Sequence, residues 1–147
     1  MNPEIELRWL RSPDDLTAPF ALRIRVFCDE QGYAREMELD GTDDTAWHLL
    51  LLADGTPAGT GRLYWRSAEE GCMGIGRLAV DQVWRGYGFG SILVKEMEKR
   101  AERMGASTLL LDAQTRAIGF YEKLGYAVCG EEHMDGHVPH KMMKKRL

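Results

Sequence analysis

The sequence predicts a mixed α/β domain spanning residues 1–147, with a mostly antiparallel sheet of about seven strands and about four helices. Short apolar runs separated by turn signals fill residues 47–80, an amphipathic stretch of helical period occupies 91–104, and a short, wholly apolar run follows it. Strand, helix and strand in succession make a right-handed crossover, so the fourth and fifth strands are expected to lie parallel. A length of 147 residues, with 44% hydrophobic and 29% charged, suits one globular domain and excludes a disordered chain.

Residues 5–10 alternate as a first strand. Ser12, Pro13, Asp14 and Asp15 signal a helix start, and Phe20, Ile24 and Phe27 recur at helical spacing from 16 to about 31, with Arg23 and Arg25 facing elsewhere and Gly32 as the stop. The acidic connection that follows, holding Glu36, Glu38, Asp40, Asp43 and Asp44, reads as a solvated loop, although it could draw a cationic amine. Residues 47–52, 60–65 and 73–80 form a meander, turned at Asp54 and Gly55 and again at Glu69, Glu70 and Gly71. In 91–104, Leu93, Met97, Ala101 and Met104 make one apolar stripe, closed by Gly105. Residues 108–111 read as a strand buried on both faces. A shorter helix over 116–124 ends at Gly125, and strands near 126–130 and 140–146 complete the sheet.

Composition narrows the function. A net charge of -4 argues against general binding to nucleic acid. No apolar run approaches the roughly 20 residues that span a bilayer, and Met1 to Glu6 lack the basic and apolar parts of a signal peptide. Cys28, Cys72 and Cys129 form no CxxC pair, which points to reduced thiols, a cytoplasmic setting and small core residues rather than nucleophiles. His133, His137 and His140 cluster only loosely and no zinc-ligand spacing is present, so no metal is expected.

The informative segment is Arg85-Gly86-Tyr87-Gly88-Phe89-Gly90-Ser91, where alternating glycines lie between a strand and an amphipathic helix. Glycines let several N–H groups converge, and the helix N-terminus adds about half a positive charge, so a pyrophosphate fits, with Arg85 as a charged donor. No Gly-Lys-Ser/Thr closes a Walker loop. A dinucleotide-binding crossover, with Asp112 as its ribose acid, ranks second, because Ser91 replaces the third glycine and a β-hairpin precedes the crossover.

Three stretches, residues 75–80, the 85–90 loop and 117–126, resemble the GNAT superfamily of N-acetyltransferases in order and spacing. Residues 25–31, with Glu38, Leu39, Asp40, His48 and the closing 135–140, are similar to its ElaA-like and YjcF-like branch. The resemblance implies acetyl-CoA as cosubstrate, with its pyrophosphate on the backbone of Arg85 through Ser91 and its pantetheine on main-chain groups of Leu78, Ala79 and Val80, between splayed fourth and fifth strands. It also implies direct transfer in a ternary complex to an amine of a small molecule or an exposed amino group, with Tyr121 as general acid. The base is left among Glu30, Glu38, His48, His140 and a water relay. Glu30 and Glu38 read otherwise as surface carboxylates or helix-end partners, His48 as a core residue and His140 as a support of the last strand. The expected partner is an amine acceptor, neither nucleic acid nor membrane, and a homodimer stays open. The alternative in another class is a non-catalytic acyl-CoA sensor, motivated by the absence of one compelling base.

Overall fold

The computed structural model describes residues 2–147, the Met37 side chain excepted; Met1, where the expected domain and the N-terminal reading begin, lies outside the described residues. The alternating residues of β1 (Ile5–Leu10) pair antiparallel with β2 (Trp47–Ala53), which turns at Asp54 and Gly55 into β3 (Thr56–Ser67) and then β4 (Cys72–Val80). β4 leads through the crossover helix α3 (Phe89–Arg103) to β5 (Thr108–Gln114), which runs parallel to it as expected. β6 (Ala127–Val128), β7 (His133–Asp135) and β8 (Val138–Arg146) finish an eight-stranded sheet of order β1-β2-β3-β4-β5-β8-β6, with β7 also on β8. The extra strand arises because the expected strand at 126–130 shortens to two residues, while β7 turns at Gly136 (φ +62°) back onto β8.

α3 packs its apolar stripe on the sheet: Leu93, Met97 and Ala101 are fully buried, and Gly105 ends it in the left-handed region. β3 carries glycines where the helix comes closest; a Cβ on Gly61 would lie 2.7 Å from the Met97 methyl carbon and one on Gly59 3.0 Å from Leu93 Cδ1. α4 (Ile118–Lys123), entered through a 3₁₀ turn at Thr115–Ala117, covers β5 on the same core. No helix among the described residues is long and apolar enough to cross a membrane.

Five expectations need correction. The helix expected over 16–31 divides into α1 (Thr17–Arg23) and a π-helical stretch (Ile24–Glu30) that closes with Gln31 N–H on the Val26 carbonyl at 3.1 Å. Its buried side chains include Leu22, Arg23 and Val26, so Arg23 turns inward because carboxylates wait for it there. The acidic connection is not a solvated loop: α2 (Arg35–Glu38) and a 3₁₀ turn (Gly41–Asp44) bury Glu38 and Asp43 against arginines. β5 is buried on one face only; Leu109, Leu111 and Ala113 enter the core, whereas Asp112 stands exposed on the side that opens into a cavity. Cys129 is exposed rather than a core residue, because β6 is a short edge strand.

β4 and β5 pair only from Cys72↔Thr108 to Ile75↔Leu111, although both strands continue beyond. Arg77, with φ +50°, and a register shift on the β3 side bend β4 at that point, while β5 stays paired with β8 to Gln114↔His140. The two strands part there, and the site lies in the gap.

Candidate active site

A cavity of about 830 Å³ occupies the gap, walled by Gly76 to Val80 of β4 and by Leu111, Asp112 and Gln114 of β5. At one end lies the start of α3. Gly88 is its N-cap at φ +79° with no side-chain cap, and Gly86 sits at φ +91°, conformations that disfavour any other residue. The first helical bond runs from Ile92 N–H to the Gly88 carbonyl, so the amides of Phe89, Gly90 and Ser91 have no intrahelical partner. The helix start therefore offers free donors and a positive dipole end.

The aromatic residues of the loop hold it rather than line it. Phe89 is buried, Tyr87 stacks on it with centroids 5.5 Å apart, and Trp84 completes the group 6.1 Å from Phe89. Gly90 reaches the cavity under Phe120, whose Cζ would lie 3.1 Å from a Cβ there.

Arg85 does not aim a free guanidinium at this end. It forks onto both carboxylate oxygens of Glu30 at 2.7 Å each, and its Nε and Nη2 donate to the Val80 carbonyl at 3.1 and 3.0 Å. The Glu30 carboxyl is held below its usual pKa chiefly by the Arg85 hydrogen bond, so Glu30 is a charged partner and not a base poised near neutrality.

Among the three β4 residues expected to offer main-chain groups, the geometry separates one. Asp81 N–H donates to Ala58 on β3 at 2.8 Å, so Ala79, two residues back, also turns its N–H and C=O toward β3. Leu78 and Val80 turn theirs the other way, into the gap, as the Arg85 bond to Val80 attests.

Tyr121, on α4, lines the cavity and is also a core aromatic, edge-on to Phe120 at 5.0 Å and to Tyr126 at 6.0 Å. Burial pushes its phenol up to about 12, so it holds its proton at neutral pH. Its hydroxyl has no protein partner among the described residues.

The walls also include Glu38, Arg62 and Arg77, side chains from distant segments, and Arg23, Asp40 and Asp43 hold these from outside the lining. Arg23, fully buried, donates to Glu38 Oε1 at 3.1 Å and to Asp43 at 2.7 and 3.1 Å; Arg62 holds Asp40 at 2.7 Å and Asp43 at 3.0 Å; Arg77 lies 3.1 Å from Glu38 Oε1. Asp40 and Asp43 stay below the usual carboxylate range even though burial opposes it, because these guanidinium bonds outweigh it. Glu38 goes the other way: desolvation raises it, against the pull of Arg77 and Arg23.

Of the other base candidates, His48 stands outside the cavity walls, with Nε2 3.1 Å from the Asp43 carbonyl and its pKa lowered mainly by burial. It is a core residue of the charge cluster. His140 lines the cavity with Nδ1 donating to the Val138 carbonyl at 2.9 Å. His133 binds Asp112 at 2.8 Å, and His137 donates to the Gln31 carbonyl at 2.7 Å. Asp112 is thus a histidine partner at the cavity wall. Sequence reasoning missed Tyr33, Arg62, Tyr64, Arg66 and Arg77, all of which line the cavity. The available signal was Gly74 and Gly76, two glycines inside a strand, which mark a close approach by a neighbour.

Parted parallel strands beside an uncapped, glycine-opened helix define an acyltransferase frame. The sequence matches the Acetyltransferase (GNAT) family over residues 7–126, and the chain belongs to that family of N-acetyltransferases. The uncharacterized N-acetyltransferase YjcF of Bacillus subtilis (strain 168) is 36% identical over 136 residues, 92% of this chain and 95% of its own. An acyl-CoA N-acyltransferase from Pseudomonas aeruginosa superposes with a TM-score of 0.86 at 27% identity, covering 97% of this chain and 99% of its own. ElaA of Escherichia coli shares the fold, with a TM-score of 0.87 at 24% identity and the same coverage.

Proposed function

We propose that the protein transfers the acetyl group of acetyl-CoA to a primary amine by direct attack in a ternary complex. The observation that carries this reading is the single cavity that joins the open N-terminus of α3, the parted edge of β4 and the Tyr121 phenol. Acetyl-CoA supplies an acyl group activated as a thioester. The amides of Phe89, Gly90 and Ser91 fit its pyrophosphate, and the main-chain groups of Leu78 with the Val80 N–H fit the pantetheine amides, extending β4 where β5 has left it. Arg85 contributes by holding the turn between β4 and α3 rather than as a phosphate donor.

Tyr121 keeps a proton at neutral pH and delivers it to the departing thiolate. Glu38 takes a proton from the acceptor's ammonium and so leaves a neutral amine to attack the thioester: it lines the cavity, two guanidinium groups grip its Oε1, and burial raises its pKa. The free thiols of Cys28, Cys72 and Cys129 suit a reducing cytoplasm.

Thiol release from acetyl-CoA, followed across a panel of amines, tests the reading: acceptor-dependent release supports it, and release no faster than hydrolysis with every amine sinks it. Tyr121→Phe should lower kcat by about 10²-fold while acetyl-CoA affinity stays within a factor of about two. Equal loss of both would remove Tyr121 from the acid role.

A further inference from the structure

On the acceptor side of the cavity, Arg62, Tyr64 and Arg66 succeed one another at alternate positions of β3, so they share one face and stand in a row over β4. β4 is cut away beneath them. A Cβ on Gly74 would lie 2.6 Å from Tyr64 Cζ, and one on Gly76 would lie 3.5 Å from Arg62 Nε and 3.6 Å from Tyr64 Cε1. Any side chain at Gly74 would displace the tyrosine ring, and one at Gly76 would fill the space that Arg62 Nε faces.

All three present unspent donors. Arg62 is 5% exposed and its two terminal nitrogens hold Asp40 and Asp43, yet its Nε has no hydrogen-bond partner. A buried N–H beside a cavity calls for an acceptor atom, since leaving it unmet costs about 1–3 kcal/mol. The Tyr64 hydroxyl donates to no protein group among the described residues, and Arg66 is exposed with no carboxylate partner. The carboxylates nearby are already divided: Asp40 and Asp43 are held by Arg23, Arg62 and Arg77, while Glu38 lies at the other side of Arg77. The row is therefore rich in donors and net positive at Arg66, whereas Glu38 and Asp135, which line the same cavity, supply negative charge.

We propose that the acceptor is an amine that also bears a carboxylate, an amino carboxylate, whose anionic group docks on Arg66, Tyr64 and the Arg62 Nε–H while its amine meets Glu38. This assignment rests on the transfer reading above and narrows its substrate class. A planar carboxylate matches a guanidinium fork, and the same molecule's ammonium is drawn to the acidic wall. A simple alkylamine would leave the donor row unmet, and the site would reject it as polar sites reject analogues that lack the matching group.

The test compares matched pairs, each amino acid against its carboxamide and its decarboxylated amine, in the thiol-release assay. Wild type should favour the carboxylate member by at least about 10-fold in kcat/KM. Arg66→Ala, Tyr64→Phe and Gly76→Ala should each shrink that ratio, Arg66→Ala by about 10-fold, with circular dichroism showing that each variant is folded. Turnover of the decarboxylated amines at parity with their parents, or an unchanged ratio in all three variants, overturns this inference alone. Binding of acetyl-CoA without turnover of any amine overturns the transfer reading, and this inference with it.

Discussion

At the α3 end of the cavity the binding groups are main chain: Gly90 and the outer edge of Leu78 and Val80 line it, and the amides of residues 89–91 open beside it, where glycines at 86 and 88 turn the backbone through positive φ. At the β3 end the wall is side chain: Arg62, Tyr64, Arg66, Arg77 and Glu38, drawn from α2, β3 and β4 and held by a buried lattice of guanidinium and carboxylate groups. Both ends use electrostatics, but they differ in what can be removed. Main-chain donors survive any side-chain substitution that spares the backbone shape. A buried lattice fails when one member goes, because the partner left behind is a desolvated charge.

The largest effect is therefore expected at Asp43, whose carboxylate accepts from Arg23, Arg62 and the Asp40 N–H. Asp43→Asn strips the charge and turns an amide NH₂ toward two guanidinium groups, so the protein should lose about 3–5 kcal/mol in urea unfolding. The same lattice sets acid sensitivity. The folded pKa values of Asp40 and Asp43 lie below the unfolded value, so their contribution is fully present above about pH 4 and is lost as pH falls through the folded values. A smaller loss than about 1 kcal/mol in the variant would mean that the two ends are not different in kind.

Glu38 belongs to the same lattice but is the member with a raised pKa, which separates a chemical role from a structural one. Glu38→Gln should lower kcat by about 10²-fold. In wild type, kcat/KM should fall as pH drops through the raised Glu38 value, because the base must be ionised to accept a proton. The variant should lose that acid limb while keeping its residual rate flat. A limb that persists in the variant would assign the base to another group, and His140 is the remaining cavity-lining candidate.

This difference between the ends also explains what could be read from the sequence. Main-chain binding needs glycines at fixed local spacing next to a helix start, so Gly86, Gly88 and Gly90 announced it, as did the strand–helix–strand order that parts β4 from β5. The acceptor end joins an alternating run, Arg62, Tyr64 and Arg66, which reads as an ordinary strand face, to Arg77 and Glu38, which meet across 39 positions without a local pattern to mark the pair. Helical spacing alone favours Phe20 and Ile24 for the inner face and turns Arg23 away, and the buried carboxylates of Glu38 and Asp43, far along the chain, reverse that choice. Arg85 was legible as a residue of the loop but not in its role, since Glu30 lies 55 positions away.

That pair gives the smallest effect and the sharpest contrast with Asp43. Arg85–Glu30 is a tighter fork than Arg23–Asp43 or Arg62–Asp40, with both contacts at 2.7 Å against 2.7 and 3.1 Å, yet its side chains are 42% and 30% exposed. Water can replace either partner, so Glu30→Gln should cost under about 1 kcal/mol of stability despite removing a bidentate ion pair. The Val80 carbonyl keeps its bonds from Arg85, so the turn into α3 should hold and the KM for acetyl-CoA should change by less than about threefold. Both quantities are read by urea unfolding and by acetyl-CoA titration in the thiol-release assay. A tenfold rise in that KM with stability intact would show that Glu30 holds the loop in its binding shape, and that the α3 end depends on a side-chain charge as the β3 end does.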